Sequence, residues 1–267
     1  MTDIRYRVLS DNDHTRLVRK EPGLDKGYEN WCPTCDKTGS YFWQSPDCAT
    51  GQQYDCNCEM QVALFKWYSA SGIGVTYQRL DWGDYEGSQE VLRQVGKYID
   101  NAREFLRQGI GLHLQGDIGV GKTMLVNLVL KDLVKKGYSC FATTFAQMIE
   151  MYTAGWTDKD EKRWFQHKFL NSQFLLLDDV GKERDTKIAL SETTFDAVLR
   201  QRVTDGRPTM ITTNMTADAL GDGYGKAILS LIYEQSLEEN ITGEDFRPKA
   251  NDRRIDEVLK GWIRPIT

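Results

Sequence analysis

The nine residues Gly116-Asp117-Ile118-Gly119-Val120-Gly121-Lys122-Thr123-Met124 constrain this chain more than any other stretch. Gly116, Gly121, Lys122 and Thr123 satisfy the spacing G-x-x-x-x-G-K-[ST], with Gly119 between them. Glycines let a chain turn so that successive backbone N–H groups face inward as an anion nest. A helix that begins near Lys122 adds its positive N-terminal end. A lysine here reaches β- and γ-phosphates, and the following hydroxyl, Thr123, ligates magnesium. The loop works only between a strand and a helix, and both are expected. IGLHLQ (110–115) reads as a strand, while Leu125, Leu128, Val129 and Leu133 mark one helical face that Gly137 is placed to stop.

The same alternation continues. SCFAT (139–143) reads as a second strand, followed by a helix through Met148, Ile149 and Tyr152. QFLLLD (173–178) is a continuous apolar run, which suits a strand buried on both faces. Phe195, Val198 and Leu199 begin another helical stripe, and PTMITTN (208–214) is a fourth strand. Upstream, Val91, Leu92, Val95, Tyr98, Ile99, Ala102, Phe105 and Leu106 predict one long helix that Ser88 caps. Strands alternating with helices mean an α/β fold, a parallel sheet between helical layers.

The expected organisation is an arm over 1–30, a small cysteine-bearing module over 31–60 and a linker over 61–85. An α/β core over 86–215 and a C-terminal region over 216–267 follow. The chain of 267 residues, 40% of them hydrophobic, is long enough for a full α/β domain and something small. A net charge of −5 provides no global basic field for nucleic acid, so any such contact needs a local patch. No long apolar run predicts a membrane span, and the polar N-terminus has no secretory apolar core. No membrane partner is expected. The expected compartment is the reducing cytoplasm, where six cysteines read as metal ligands or core residues rather than disulfides.

Further residues converge on a nucleotide. FLLLDDVG delivers two carboxylates at the end of a buried strand. Asp178 is placed to hold magnesium, the Walker B arrangement, and Asp179 to act as general base or to orient water. Asn214, at the tip of the fourth strand, is placed to touch the γ-phosphate or the attacking water.

GDIGVGKT, LLLDDVG and TDGRPTMITTNM together resemble the DnaC/DnaI-type helicase loaders and the related IstB transposition helpers, which are AAA+ ATPases. The segment ITGEDFR (241–247) is similar to that family's closing Gly-x-Asp-x-Arg step. The resemblance covers roughly 75–250. It implies a P-loop NTPase of AAA+ type using ATP and Mg2+, with Asn214 as sensor 1 and Arg247 as the arginine that reads nucleotide state from a short lid. It also implies self-assembly with ATP, binding of single-stranded DNA and delivery of a replicative hexameric helicase, in a bacterial or phage-infected cell. A transposition helper and an ATP-switched binding module with little hydrolysis are the alternative functions.

The chain departs from the family at one step. Where the family carries Ser-Arg-Leu, with an arginine that acts on a neighbour's ATP, this chain has Ser230-Leu231-Ile232. An arginine finger contributes several orders of magnitude in rate. Leu231 therefore implies low intrinsic turnover, or a substitute cation among Lys226, Arg253 and Arg254.

Cys32-Pro33-Thr34-Cys35 and Cys56-Asn57-Cys58 form two close pairs, which suit tetrahedral thiolate binding of structural Zn2+. CPTCDKTG…CNC resembles the zinc ribbon upstream of the ATPase in several DnaC-like proteins, which favours Cys32, Cys35, Cys56 and Cys58 as ligands. Cys48 is an alternative ligand, and Cys140 reads as core. Trp31, Tyr41, Phe42 and Trp43 serve either the miniature core of that module or a helicase contact. In DKDEKRWFQHK (158–168), Lys162, Arg163, Trp164, Phe165 and Lys168 pair cations with aromatics as single-strand binders do. Interleaved acids favour a solvated helix with a buried aromatic.

Overall fold

The computed structural model describes residues 40–43, 52–55, 58–181, 188–260 and 266–267. The chain divides into two units, 70–251 and a second formed by 1–69 with 252–267. In the second unit, β1 (Ser40–Trp43) pairs antiparallel with β2 (Gln52–Asp55), Ser40 opposite Asp55. Helix α1 (Cys58–Ala70) follows, so the stretch expected as linker from 61 is helical through Ala70. Cys32, Cys35, Cys48 and Cys56 lie outside the described residues, as does the side chain of Cys58.

The larger unit opens with a short helix, α2 (Val75–Gln78), and a 3₁₀ turn over Trp82–Asp84. The turn is closed reciprocally, because Asp81 accepts from the Gly83 N–H and Asp84 accepts from the Asp81 N–H. The single long helix expected next is two, α3 (Gln89–Asp100) and α4 (Ala102–Gln108). Ser88 caps the first by accepting from the Val91 N–H. Asn101 leaves helical geometry at φ −102°, ψ 22° and donates its side-chain amide to the Lys97 carbonyl. The apolar spacing crosses this break unaltered, so periodicity alone does not reveal it.

Then β3 (Gly111–Gly116), α5 (Lys122–Lys135), β4 (Cys140–Thr144), α6 (Phe145–Ala154), α7 (Lys159–Phe165), β5 (Phe174–Val180), α8 (Ile188–Thr204) and β6 (Thr209–Thr213) alternate. A π-turn over Gln166–Leu170 extends α7. Helices α9 (Ala217–Tyr224) and α10 (Lys226–Glu234), strand β7 (Ser236–Ile241) and helix α11 (Arg247–Leu259) complete the chain. The five strands are parallel, in the order β4-β5-β6-β3-β7. Four match expectation. The fifth, SLEENI, has only Leu237 and Ile241 as apolar residues. It is an edge strand whose residues are mostly exposed or half-buried, so no apolar pattern marks it.

Alternation divides the core. Phe141, Leu175, Leu177 and Ile211 face a cluster with Phe145, Phe165 and Phe169 and with Phe195, Leu220 and Ile228 of helices α8–α10. Leu112, Leu176 and Met210 share the opposite face by register, and α5 packs against β3 to β6. Cys140 is buried and free, in β4, as a core residue. Phe165 is buried on α7 while Trp164 is 38% exposed, which fits a solvated helix with one inward aromatic.

His113 lies on the cluster face and is 1% exposed, with its Nε2 unpartnered. Burial pushes its pKa down to about 4. Its folded pKa is thus below the ordinary value, so the unfolded chain holds the extra proton between about pH 6.5 and 4. Stability therefore falls as pH drops through that window. A His113→Phe protein, compared by urea denaturation across it, is expected to lose about 1.4 kcal/mol less per pH unit at the steepest point.

Candidate nucleotide site

The glycine loop is built by backbone that only glycine tolerates. Gly116 has φ +148°, and a Cβ there would lie 1.8 Å from the Ile241 carbonyl oxygen of β7. Gly119 has φ +83°, and its Cβ would lie 1.9 Å from Asp245 Oδ1. The loop is thus pressed against the chain that follows β7. Two backbone bonds join them, from the Asp117 N–H to the Ile241 carbonyl (3.2 Å) and from the Phe246 N–H to the Gly119 carbonyl (3.1 Å). The GEDFR segment therefore touches the loop it was expected to serve. Val120 is buried against the fold while Ile118 is 59% exposed at the loop tip.

Helix α5 starts at the loop and points its N-terminus into the cradle. Lys122 is 6% exposed, and its ammonium donates to the carbonyls of Gly116 (2.9 Å) and Asp117 (2.6 Å). Burial lowers its pKa; Asp179, Asp117 and Asp178 oppose the shift, while the positive charge of Arg247 adds to it. Arg247, exposed at the first turn of α11, therefore acts electrostatically on the same site. Met124 follows Thr123 in the first turn of α5.

Thr123 Oγ1 donates to Asp178 Oδ1 at 3.0 Å, joining loop to strand β5. A hydroxyl and a carboxylate beside a phosphate cradle are hard oxygen donors of the kind Mg2+ takes together with substrate phosphates. Beyond this pair, no group of three or more His, Cys, Asp or Glu suited to a metal occurs among the described residues. Asp179 has φ +60°, the one non-glycine residue with positive φ among those described. No sequence pattern marks the reason for it. Leu177 pairs with Ile211 and Val180 with Thr213, so three steps along β5 match two along β6. This is a β-bulge, and it delivers both aspartates at the strand end while returning Val180 to the core. Asn214 follows β6 directly and is exposed.

The segment before α3 also serves the site. Lys131 of α5 is 2% exposed and donates to the carbonyls of Tyr77 (3.3 Å), Gln78 (3.1 Å) and Leu80 (2.5 Å). The Trp82 indole donates to Asp132 Oδ2 at 2.9 Å. This strap places the Tyr85 ring against Gly121, where a Cβ would come within 3.1 Å of it. Burial, then Asp178 and Asp179, raise the pKa of Tyr77, which puts its phenol in the field of the two aspartates. The stretch GIGVTYQRLDWGDYEG is loop-like and rich in turn formers, which is why it reads as a linker in the sequence; Lys131, a lysine on an otherwise apolar helix face, is the signal of its docking. Leu231 packs half-buried against the apolar cluster, and Lys226 is exposed.

Residues 84–253 match the family model described as IstB-like ATP binding protein. The replicative helicase loader DnaI of Bacillus subtilis is 25% identical over 177 residues, 65% of this chain and 55% of that protein. The chain thus spans little more than half the length of that relative. The uncharacterised protein YdaV of Escherichia coli is 22% identical, over 70% of this chain and 76% of that protein. A crystal structure of the DnaC helicase loader shares the fold, with TM-score 0.57 and 24% identity over 63% of this chain and 99% of that one. A crystal structure of DnaI does so at TM-score 0.54 and 21% identity, over 65% and 94%. No described helix is long and apolar enough to cross a membrane. With a matching model that spans well over half its length, and a phosphate cradle, lysine and paired aspartates in one place, the chain belongs to the IstB-like ATP-binding protein family.

Proposed function

We propose that this protein is a helicase loader that binds ATP and Mg2+ and hydrolyses ATP slowly on its own. The carrying observation is the contact of Thr123 with Asp178 across the mouth of the glycine loop, with Lys122 buried beside it. In this reading the backbone of 116–121 and Lys122 hold the triphosphate. Thr123 and Asp178 hold Mg2+, which when bound neutralises charge on the phosphates. Asp179 takes a proton from, or orients, the attacking water. Asn214 and Arg247 approach the γ-phosphate, and Arg247 is supported by its electrostatic reach to Lys122.

Slow turnover follows from Leu231. Its side chain packs against the protein's own apolar cluster, so this position offers a neighbouring site no cation. An exposed Lys226 four positions before Ser230 is the nearest substitute on the same helix. Rapid Mg2+-dependent hydrolysis by the isolated protein would contradict this part of the reading.

The partner is a replicative hexameric helicase, with single-stranded DNA as the second ligand and ATP-dependent self-assembly as the working state. The reading is supported by relatives named as helicase loaders. Co-purification with the host's replicative helicase, with and without ATP, tests it. ATP-dependent recovery of that hexamer is the expected result, and recovery of a transposase instead would favour a transposition helper. For residues 31–60 we propose a zinc ribbon ligated by Cys32, Cys35, Cys56 and Cys58. The β1–β2 hairpin between the two cysteine pairs supports it. One zinc per chain by metal analysis is expected; five titratable thiols in that module and no zinc would refute it.

A further inference from the structure

We propose that Thr212 is a positioning residue for ATP hydrolysis, a side chain whose one hydroxyl bonds both aspartates of the site and helps hold them in their working arrangement. The proposal rests on the ATPase reading above. Thr212 lies in β6, fully buried. Its hydroxyl donates to Asp178 Oδ1 at 2.5 Å and accepts the backbone N–H of Asp179 at 2.9 Å.

Each bond answers a need created by the bulge. An extra residue in a strand leaves a backbone group without its ladder partner. Here the Asp179 N–H finds a side-chain oxygen on the neighbouring strand. The same bond holds Asp179 at φ +60°, a conformation that costs an aspartate free energy and persists only where its surroundings over-determine it. The other bond orients the carboxylate of Asp178. Thr123 also donates to Asp178 Oδ1, yet Thr123 is the hydroxyl that the loop's chemistry assigns to the metal. Thr212 carries no such second duty, so its bond to the carboxylate can persist when Thr123 turns to the metal. Through one oxygen, the orientation of the metal-side aspartate and the backbone of the water-side aspartate become a single unit.

The adjacent Thr213 provides an internal control. It is equally buried, on the same strand and the opposite face, and its hydroxyl bonds to the Val180 carbonyl (2.7 Å) and the Met215 N–H (3.0 Å). A merely structural effect of deleting a buried hydroxyl should appear in both positions.

The test compares Thr212→Val, Thr212→Ser and Thr213→Val in the full chain. Affinity for a fluorescent ATP analogue is measured with and without Mg2+, and hydrolysis is followed in single turnover with protein in excess. Thr212→Val is expected to bind the analogue without Mg2+ within about twofold of the unaltered protein. It should lose most of the gain in affinity that Mg2+ confers and hydrolyse about tenfold more slowly or worse. Thr212→Ser should restore both to within about threefold, and Thr213→Val, whose lost hydroxyl bonds lie beside Asn214, should leave the Mg2+ gain in affinity unchanged. Should Thr212→Val not fold, Thr212→Cys, whose thiol is only a weak donor, takes its place with the same expectations. Unaltered Mg2+ dependence and rate in the Thr212 variant, or an equal loss of the Mg2+ gain in affinity at Thr213, would overturn the proposal. Absence of hydrolysis in the unaltered protein would instead count against the ATPase reading, and the Mg2+ dependence of binding would still decide the role of Thr212.

Discussion

Lys122→Ala is expected to lower ATP affinity by about two orders of magnitude or more while leaving the fold intact. Lys122 is 6% exposed, and its ammonium is already directed at the loop by two short bonds to its carbonyls. Charge-assisted hydrogen bonds contribute roughly 1.5–3 kcal/mol each, and about 2.7 kcal/mol corresponds to a hundredfold in affinity. The fold does not depend on this charge in the same way. Burial lowers the Lys122 pKa, which means that the folded protein disfavours the protonated form. Removing the side chain relieves that penalty, so thermal unfolding of the nucleotide-free protein should shift little. Lys122→Arg should not rescue binding, since a planar fork does not replace a compact point charge in a closed loop. Titration calorimetry with ATP and Mg2+, beside a thermal melt, checks both halves. An unchanged dissociation constant would remove Lys122 from the phosphate site.

The second large effect concerns stability. Arg202, near the end of α8, is fully buried, and its guanidinium donates to Thr209 Oγ1 (2.9 Å) and to the carbonyls of Phe169 (2.7 Å), Ser172 (3.0 Å), Gln173 (3.3 Å) and Pro208 (2.6 Å). Burial first, and then the nearby Arg207, push its pKa down to about 9. One side chain thereby satisfies the end of the π-turn and the entries to β5 and β6. Arg202→Ala would remove a donor from each of these carbonyls, of which that of Pro208 keeps the Leu175 N–H, and open a large void. Each buried carbonyl left unsatisfied costs roughly 1–3 kcal/mol, so a total loss of about 3 kcal/mol or more is expected. Arg202→Lys keeps a charge but not the five-donor fork, and should recover only part. Urea denaturation midpoints measure the difference; a change under about 1 kcal/mol for Arg202→Ala would contradict the assignment. Two positions earlier, Arg200 is exposed and pairs with Asp196 within its own helix. Arg200→Ala should fall within about 0.5 kcal/mol of the unaltered protein.

The contrast between Arg200 and Arg202 shows where sequence stops. Both lie in one polar run, RQRVTDG, and nothing local separates the staple of two strands from a solvated cation. The same limit applies to Lys131, whose three carbonyl partners are about fifty residues away in the chain. It applies to SLEENI, which becomes a strand because β3 presents it with an unpaired edge, not because its own pattern demands one.

What the sequence determined by itself was local chemistry with a fixed spacing. Gly116 to Thr123 can wrap a phosphate because glycines, lysine and hydroxyl come in that order, and the flanking apolar runs define four of the five sheet strands. Asp178, Asp179 and Asn214 were legible as candidates because each ends or follows a recognisable strand, and Arg247 only through the resemblance of ITGEDFR to the family's closing segment. What only the tertiary structure decided was how those groups are held. The sheet order inserts β6 between β3 and β5, and a bulge in β5 turns Asp179 into a left-handed conformation that no sequence pattern announces. Thr212 then meets both aspartates from a strand some thirty residues later. Such contacts depend on register between distant strands, and register is set by the packing of the whole sheet rather than by any residue within it.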